Sequence, residues 1–211
     1  MQNIVQSDYR KFLQLRREVI IHLEKKPLKD NKKLIANTIK DLDKVLDIGA
    51  GDKRLEKYLS EAGFKGNYFS MDNNRNYNYD FYDIHEIDGI YDAVLLLELI
   101  EHLDLNTGIE YLNRAIELAK LDGRIIVSTP NIKCVGHLWN SDITHIQHYP
   151  LRDLCALLLS LGCRNEFHVY KTYIRYFYGR AKILEPINKI LRKILGIDYQ
   201  QGILIFSKKQ E

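Results

Sequence analysis

The chain has 211 residues, 45% hydrophobic and 28% charged, with 12 glycines, 4 prolines and a formal net charge of +3. That composition excludes disordered and collagen-like chains, and the length suits one domain over 1–211. Three cysteines, Cys134, Cys155 and Cys163, are too few and too irregularly spaced for a disulfide framework or a four-cysteine zinc site. No run approaches the roughly 18 apolar residues of a membrane span, and charges interrupt the N-terminal apolar positions, so a cytoplasmic location without a secretory leader is expected.

In chain order, residues 8–24 place Phe12, Leu15, Val19 and Leu23 at helical spacing after Ser7 or Asp8, which predicts an amphipathic helix. A second helix is expected over 29–40, starting near Asp30. Both precede the first expected strand, so 1–42 reads as a helical cover outside the strand–helix alternation. From residue 44 short apolar runs alternate with helical segments, the pattern of a parallel sheet covered on both faces. Strands are predicted at 44–47, 67–71, 78–81, 93–97 and 124–128, with helices over 53–62, 106–120 and 150–161. Two further strands at 166–170 and 202–209 complete the prediction of an α/β fold: a Rossmann-like, seven-stranded, mostly parallel sheet.

The strongest local signal is VLDIGAGDKRL at 45–55, an apolar strand running into Gly49-Ala50-Gly51 and then a helix. Glycines permit a tight turn and a close approach to a ligand, and the helix start supplies unpaired N–H groups. Two glycines after a strand also serve as an ordinary turn. About twenty residues on, Asp72 in YFSMDNN ends the second strand of this unit, where a carboxylate can hold both hydroxyls of a ribose; Asn73 adjoins it. An aspartate in such a loop also serves as a turn or cap residue.

With YDAVLLLELIEHL at 91–103 and LAKLDGRIIVSTPN at 118–131, these motifs occur in the order and at the spacing of the class I S-adenosylmethionine-dependent methyltransferases. The chain resembles the members of that family related to ubiquinone-biosynthesis and sugar methyltransferases. A dehydrogenase would carry the full G-x-G-x-x-G, and position 54 is Arg. The family's own third glycine is replaced by Lys53. The resemblance implies S-adenosylmethionine as cofactor, with Asp47, Gly49, Ala50 and Gly51 around its methionine end and Asp72 on its ribose. It further implies Asp80 or Asp83 at the adenine and Glu98 beside the sulfonium. The acceptor it implies is a small molecule, sugar or lipid-linked saccharide methylated on oxygen, with nucleic acid disfavoured.

Glu98, Glu101 and His102 form E-x-x-E-H, which resembles the metal site of the small-RNA 2′-O-methyltransferases with His145 or His148 as a distant ligand. Metal-free relatives also carry this pair, and no metal is expected. The alternatives are a metal-dependent RNA 2′-O-methyltransferase and a catalytically silent cofactor-binding module. His145 and His148, in WNSDITHIQHYPLRDL, are the candidate catalytic bases, since an imidazole near neutral pKa can take the proton of an acceptor hydroxyl. Either could equally cap or pack against the helix after Pro150.

The basic character is local. Residues 173–199 carry Arg175, Arg180, Lys182, Lys189, Arg192 and Lys193 against Glu185 and Asp198, a local charge of +4. Within this stretch 179–197 stacks Ile183, Ile187, Ile190, Leu191, Ile194 and Leu195 on one helical face. Such a helix suits peripheral membrane contact, a substrate cover or a dimer, though most amphipathic helices pack on their own core.

Overall fold

The computed structural model describes residues 9–24, 28, 30–134, 142–172, 187, 190, 193, 194, 198 and 200–210. Seven strands form one sheet: β1 (Ile20–Leu23), β2 (Lys44–Ile48), β3 (Asn67–Met71), β4 (Tyr91–Leu97), β5 (Ala119–Pro130), β6 (Glu166–Thr172) and β7 (Gly202–Lys208). Their spatial order is β1-β6-β7-β5-β4-β2-β3. Only β7 runs antiparallel to its neighbours β5 and β6; the other pairings are parallel.

Helices cover both faces, as expected. On one face α1 (Tyr9–Glu18), α4 (Leu105–Leu118) and α5 (Leu151–Ser160) bury Phe12, Leu112, Ile116, Leu154 and Leu158. On the other, α2 (Asn31–Ile39) and α3 (Arg54–Glu61) bury Ile35, Ile39, Leu55 and Leu59 against Val45, Ala93, Leu95 and Ile126. Each such aliphatic side chain contributes about 1.5–3 kcal/mol on leaving water. This packing holds the sheet from which the loops at its carboxyl ends start.

Two expectations are corrected. The helix predicted over 8–24 stops at Glu18, and Ile20–Leu23 pairs in parallel with β6. Val19-Ile20-Ile21 is a β-branched run that favours extended backbone, and Ile20 N–H finds Asn165 O at 2.8 Å. The segment 1–42 is thus not merely a helical cover, since it supplies a sheet edge. Conversely, 78–81 forms no strand, and Phe81 makes only an isolated bridge to Met71. The Asp80 carboxylate takes both Ser70 N–H and Ser70 Oγ–H at 2.8 Å, consuming a donor that a neighbouring strand would need. The amphipathic segment 179–197 lies outside the described residues except for Ile187, Ile190, Lys193 and Ile194.

Candidate active site

The site grows from the carboxyl ends of β2, β3, β4 and β5, where open α/β sheets bind ligands. β2 delivers the glycine turn. Gly49 and Gly51 have φ of +78° and +54°, and Gly49 and Ala50 donate N–H groups to Met71 O at 2.8 and 3.0 Å. Gly51 N–H donates to Asp72 Oδ2 at 2.9 Å, and Asn74 N–H donates to Asp72 Oδ1 at 2.9 Å. Tyr79, buried at the ring, donates its hydroxyl to Gly51 O. Lys53, in place of the family's third glycine, has φ +56° and precedes α3.

Asp47 lies inside β2 at 2% exposure. Tyr68 donates to its Oδ2 at 2.7 Å, whereas Oδ1 is buried without a hydrogen bond from the protein. Burial pushes the Asp47 carboxyl up to about 6, against the opposing Tyr68 hydrogen bond and the charge of Lys32. Asp83 caps a short 3₁₀ turn through His85 N–H, Asp80 is tied to Ser70, and Asn73 is exposed. Both adenine candidates thus have a structural duty as well.

Past β4, Glu98 takes the left-handed φ of +52° and donates its N–H to Ser128 O and Oγ at 3.0 and 3.1 Å. Glu98 opens onto a cavity of about 380 Å³ whose other walls include Lys32, Ser128, Asp142, His145 and Gln201. The surrounding walls strip water from its carboxyl and raise its pKa, although the residue surface faces the opening. A groove of about 440 Å³ between Arg124, Arg164, Glu166 and Lys208 lies at the opposite strand ends, remote from this chemistry.

His145 is held over the cavity by its loop. Ile146 and Gln147 donate N–H groups to Glu101 O at 2.8 and 3.1 Å, and His145 Nε2 faces Asp142 Oδ2 at 3.7 Å. Its ring meets His102 edge to face, with centroids 4.8 Å apart. His102 Nδ1 lies 2.9 Å from Thr144 Oγ1. Beneath the two rings Glu101 is fully buried, with neither carboxylate oxygen hydrogen-bonded. Burial first, and the Glu98 charge second, raise its pKa to about 8. One ligand atom each from Glu101, His102 and His145 lies within 4.8 Å of the others, so these three could hold a metal ion. His148 is exposed and does not line the cavity.

Residues 19–167 match the family described as a methyltransferase domain. The chain belongs to that family. Three solved structures share the fold of this methyltransferase. A SAM-dependent methyltransferase from Archaeoglobus fulgidus is 20% identical, with TM-score 0.62 over 86% of this chain and 96% of its own. Magnesium protoporphyrin IX methyltransferase from Synechocystis PCC 6803, with bound SAH, is 14% identical, with TM-score 0.59 and complete coverage of both chains (100% and 100%). The 1,6-didemethyltoxoflavin-N1-methyltransferase of Burkholderia thailandensis is 15% identical, with TM-score 0.57 over 98% of this chain and 84% of its own. No curated protein matches the sequence.

The family implies S-adenosylmethionine, and the residues present fit it. Asp47 Oδ1 is a buried acceptor awaiting a donor, the glycine turn exposes backbone, and Asp72 retains lone pairs beyond its two N–H contacts. Sequence reasoning missed Lys32, Tyr68 and Tyr79, whose positions follow from register and loop closure. Asp142 was missed as well, though its place three residues before His145 offered a spacing signal.

Proposed function

We propose that this methyltransferase holds S-adenosylmethionine in the cradle of Asp47, Gly49, Gly51 and Asp72 and methylates an oxygen of a small molecule, sugar or lipid-linked saccharide seated in the cavity beside Glu98. The observation carrying this reading is His145 on the cavity wall with its Nε2 facing Asp142, on the same strand ends as the glycine turn. When bound, the cofactor supplies an electrophilic methyl on a positively charged sulfur. His145 accepts the proton of the acceptor hydroxyl at Nε2, since its Nδ1 is buried, and the nearby Asp142 carboxylate stabilises the imidazolium so formed. The cavity walls align the acceptor oxygen and exclude bulk water. His148, outside the cavity lining, is the weaker base. A screen of candidate acceptors with methyl-labelled cofactor tests this reading: label should appear on an oxygen, and the H145A variant should lose turnover while still binding S-adenosylhomocysteine. Transfer to nitrogen or carbon would contradict it.

A second reading, metal-dependent RNA 2′-O-methylation, is favoured by the orphaned carboxylate of Glu101 beneath His102 and His145. In that case the imidazoles hold the metal instead of a proton, and an EDTA-treated protein regains activity only with Mg²⁺ or Mn²⁺. Full activity in EDTA eliminates it.

The lipid-linked class of acceptor is supported by Ile187, Ile190 and Ile194, which are helical and 51%, 58% and 72% exposed in a region with local charge +4. Among the described residues no helix is long and apolar enough to cross a membrane, so such contact would be peripheral.

A further inference from the structure

The groove at the end of the sheet opposite the glycine turn has a volume of about 440 Å³, the size of a small-molecule site. Its lining brings Arg124, Arg164 and Lys208 together against a single carboxylate, Glu166. Arg124 and Lys208 are direct cross-strand partners on β5 and β7, and both line the groove. Like charges directly opposite one another destabilise a sheet unless something between them compensates. The Arg124 guanidinium donates to Thr38 O, a neutral acceptor that leaves its charge unbalanced. Among the described residues the Lys208 ammonium makes no ion pair or hydrogen bond, and only Arg164 has a carboxylate partner, Asp122.

Beside these cations the groove is aromatic. Tyr170 and Phe206, each half-buried, meet edge to face with ring centroids 5.6 Å apart. A dianion between Arg124 and Lys208 relieves their repulsion, and a planar apolar body attached to it covers the exposed parts of these rings. We propose that this groove is a second ligand site, binding a phosphomonoester that carries a planar ring: the phosphate lies among Arg124, Arg164 and Lys208, and the ring on Tyr170 and Phe206. Arg124 and Lys208, the two cations without a carboxylate partner, match the nearly two negative charges of a phosphomonoester at neutral pH. Guanidinium donors also fit phosphate oxygens in pairs. The Glu166 carboxylate repels a second acidic group and favours a donor on the ring. This site shares no lining residue with the cavity beside Glu98, so its ligand is distinct from the methyl acceptor.

Calorimetry with phenyl phosphate, inorganic phosphate and phenol, at constant ionic strength, tests this. The unmodified protein should bind phenyl phosphate saturably and more tightly than inorganic phosphate, and should not bind phenol measurably. K208Q and R164Q, both at exposed positions, should each weaken phenyl phosphate binding about tenfold or more, the scale of a charge-assisted contact. K208R, which keeps the charge, should retain most of the affinity. Without ligand, K208Q should melt at a higher temperature than the unmodified protein, because the repulsion from Arg124 is gone; a lower one would contradict the uncompensated pair. No binding of phenyl phosphate, unchanged binding in K208Q, or equal affinities for phenyl phosphate and inorganic phosphate would overturn the site. So would binding lost in K32Q and kept in K208Q, which would seat the anion in the cavity beside Glu98.

Discussion

Gly51 donates its backbone N–H to Asp72 Oδ2 at 2.9 Å, so the turn after β2 and the loop after β3 are one hydrogen-bonded unit. Gly51 holds φ at +54°, and a Cβ built there would meet no atom within 4 Å. Glycine is required by conformation, not by crowding. The G51A variant should lose about 1–2 kcal/mol of stability to left-handed strain and should also weaken cofactor binding by disturbing this N–H. Urea unfolding reads the first effect; unchanged stability would show that the turn relaxes freely.

Lys53 takes the same left-handed region at φ +56° with a side chain that makes only exposed contacts, to Asn78 O at 3.3 Å and Glu56 at 3.6 Å. Replacing it by glycine should therefore stabilise the fold by about 1 kcal/mol. Thermal unfolding of K53G checks the sign, and a lower melting temperature would mean that those exposed contacts outweigh the strain.

The Asp47 carboxyl titrates at about 6 in the folded protein against an ordinary 3.8, with burial the largest cause. The native state thus retains a proton that the unfolded chain releases between these values. This contribution to stability is fully present below about pH 4 and is lost as pH rises through about 6, roughly 3 kcal/mol at 1.36 kcal/mol per unit. The D47N variant should lack this slope. Unfolding free energies at acid and neutral pH, compared between the two proteins, decide it; identical pH dependence would contradict the assignment.

Much of this was legible beforehand where backbone pattern and chemistry coincide. The strand–glycine–helix unit at 45–55 and the aspartate ending the next strand are local features, and the structure joins them directly through Gly51 and Asp72. Ile20–Leu23 was misread because Val19 and Leu23 also fit a helical period, while its true partner, β6, lies more than 140 residues away. The strand expected at 78–81 failed through the Asp80 side chain, a competition that periodicity does not report. Lys32 and Tyr79 enter the site through tertiary closure, which leaves no spacing signal in the chain.

The exposed Ile187, Ile190 and Ile194 predict association with anionic vesicles. Each basic residue near an anionic surface adds about 1 kcal/mol, and salt screens it. Co-sedimentation should need anionic lipid, fall with ionic strength, and be lost when the three isoleucines are changed to asparagine. Equal binding to neutral vesicles, or no effect of those changes, would leave the segment without a lipid role.

The cradle itself is tested most directly by titrating S-adenosylhomocysteine into the unmodified protein and into D72A. Removing a carboxylate proposed to hold two ribose hydroxyls should cost about 1.5–3 kcal/mol, so D72A should bind about ten- to a hundredfold more weakly while remaining folded. Unchanged affinity in a folded D72A protein, or no binding by the unmodified chain, would contradict the cofactor site described for this methyltransferase.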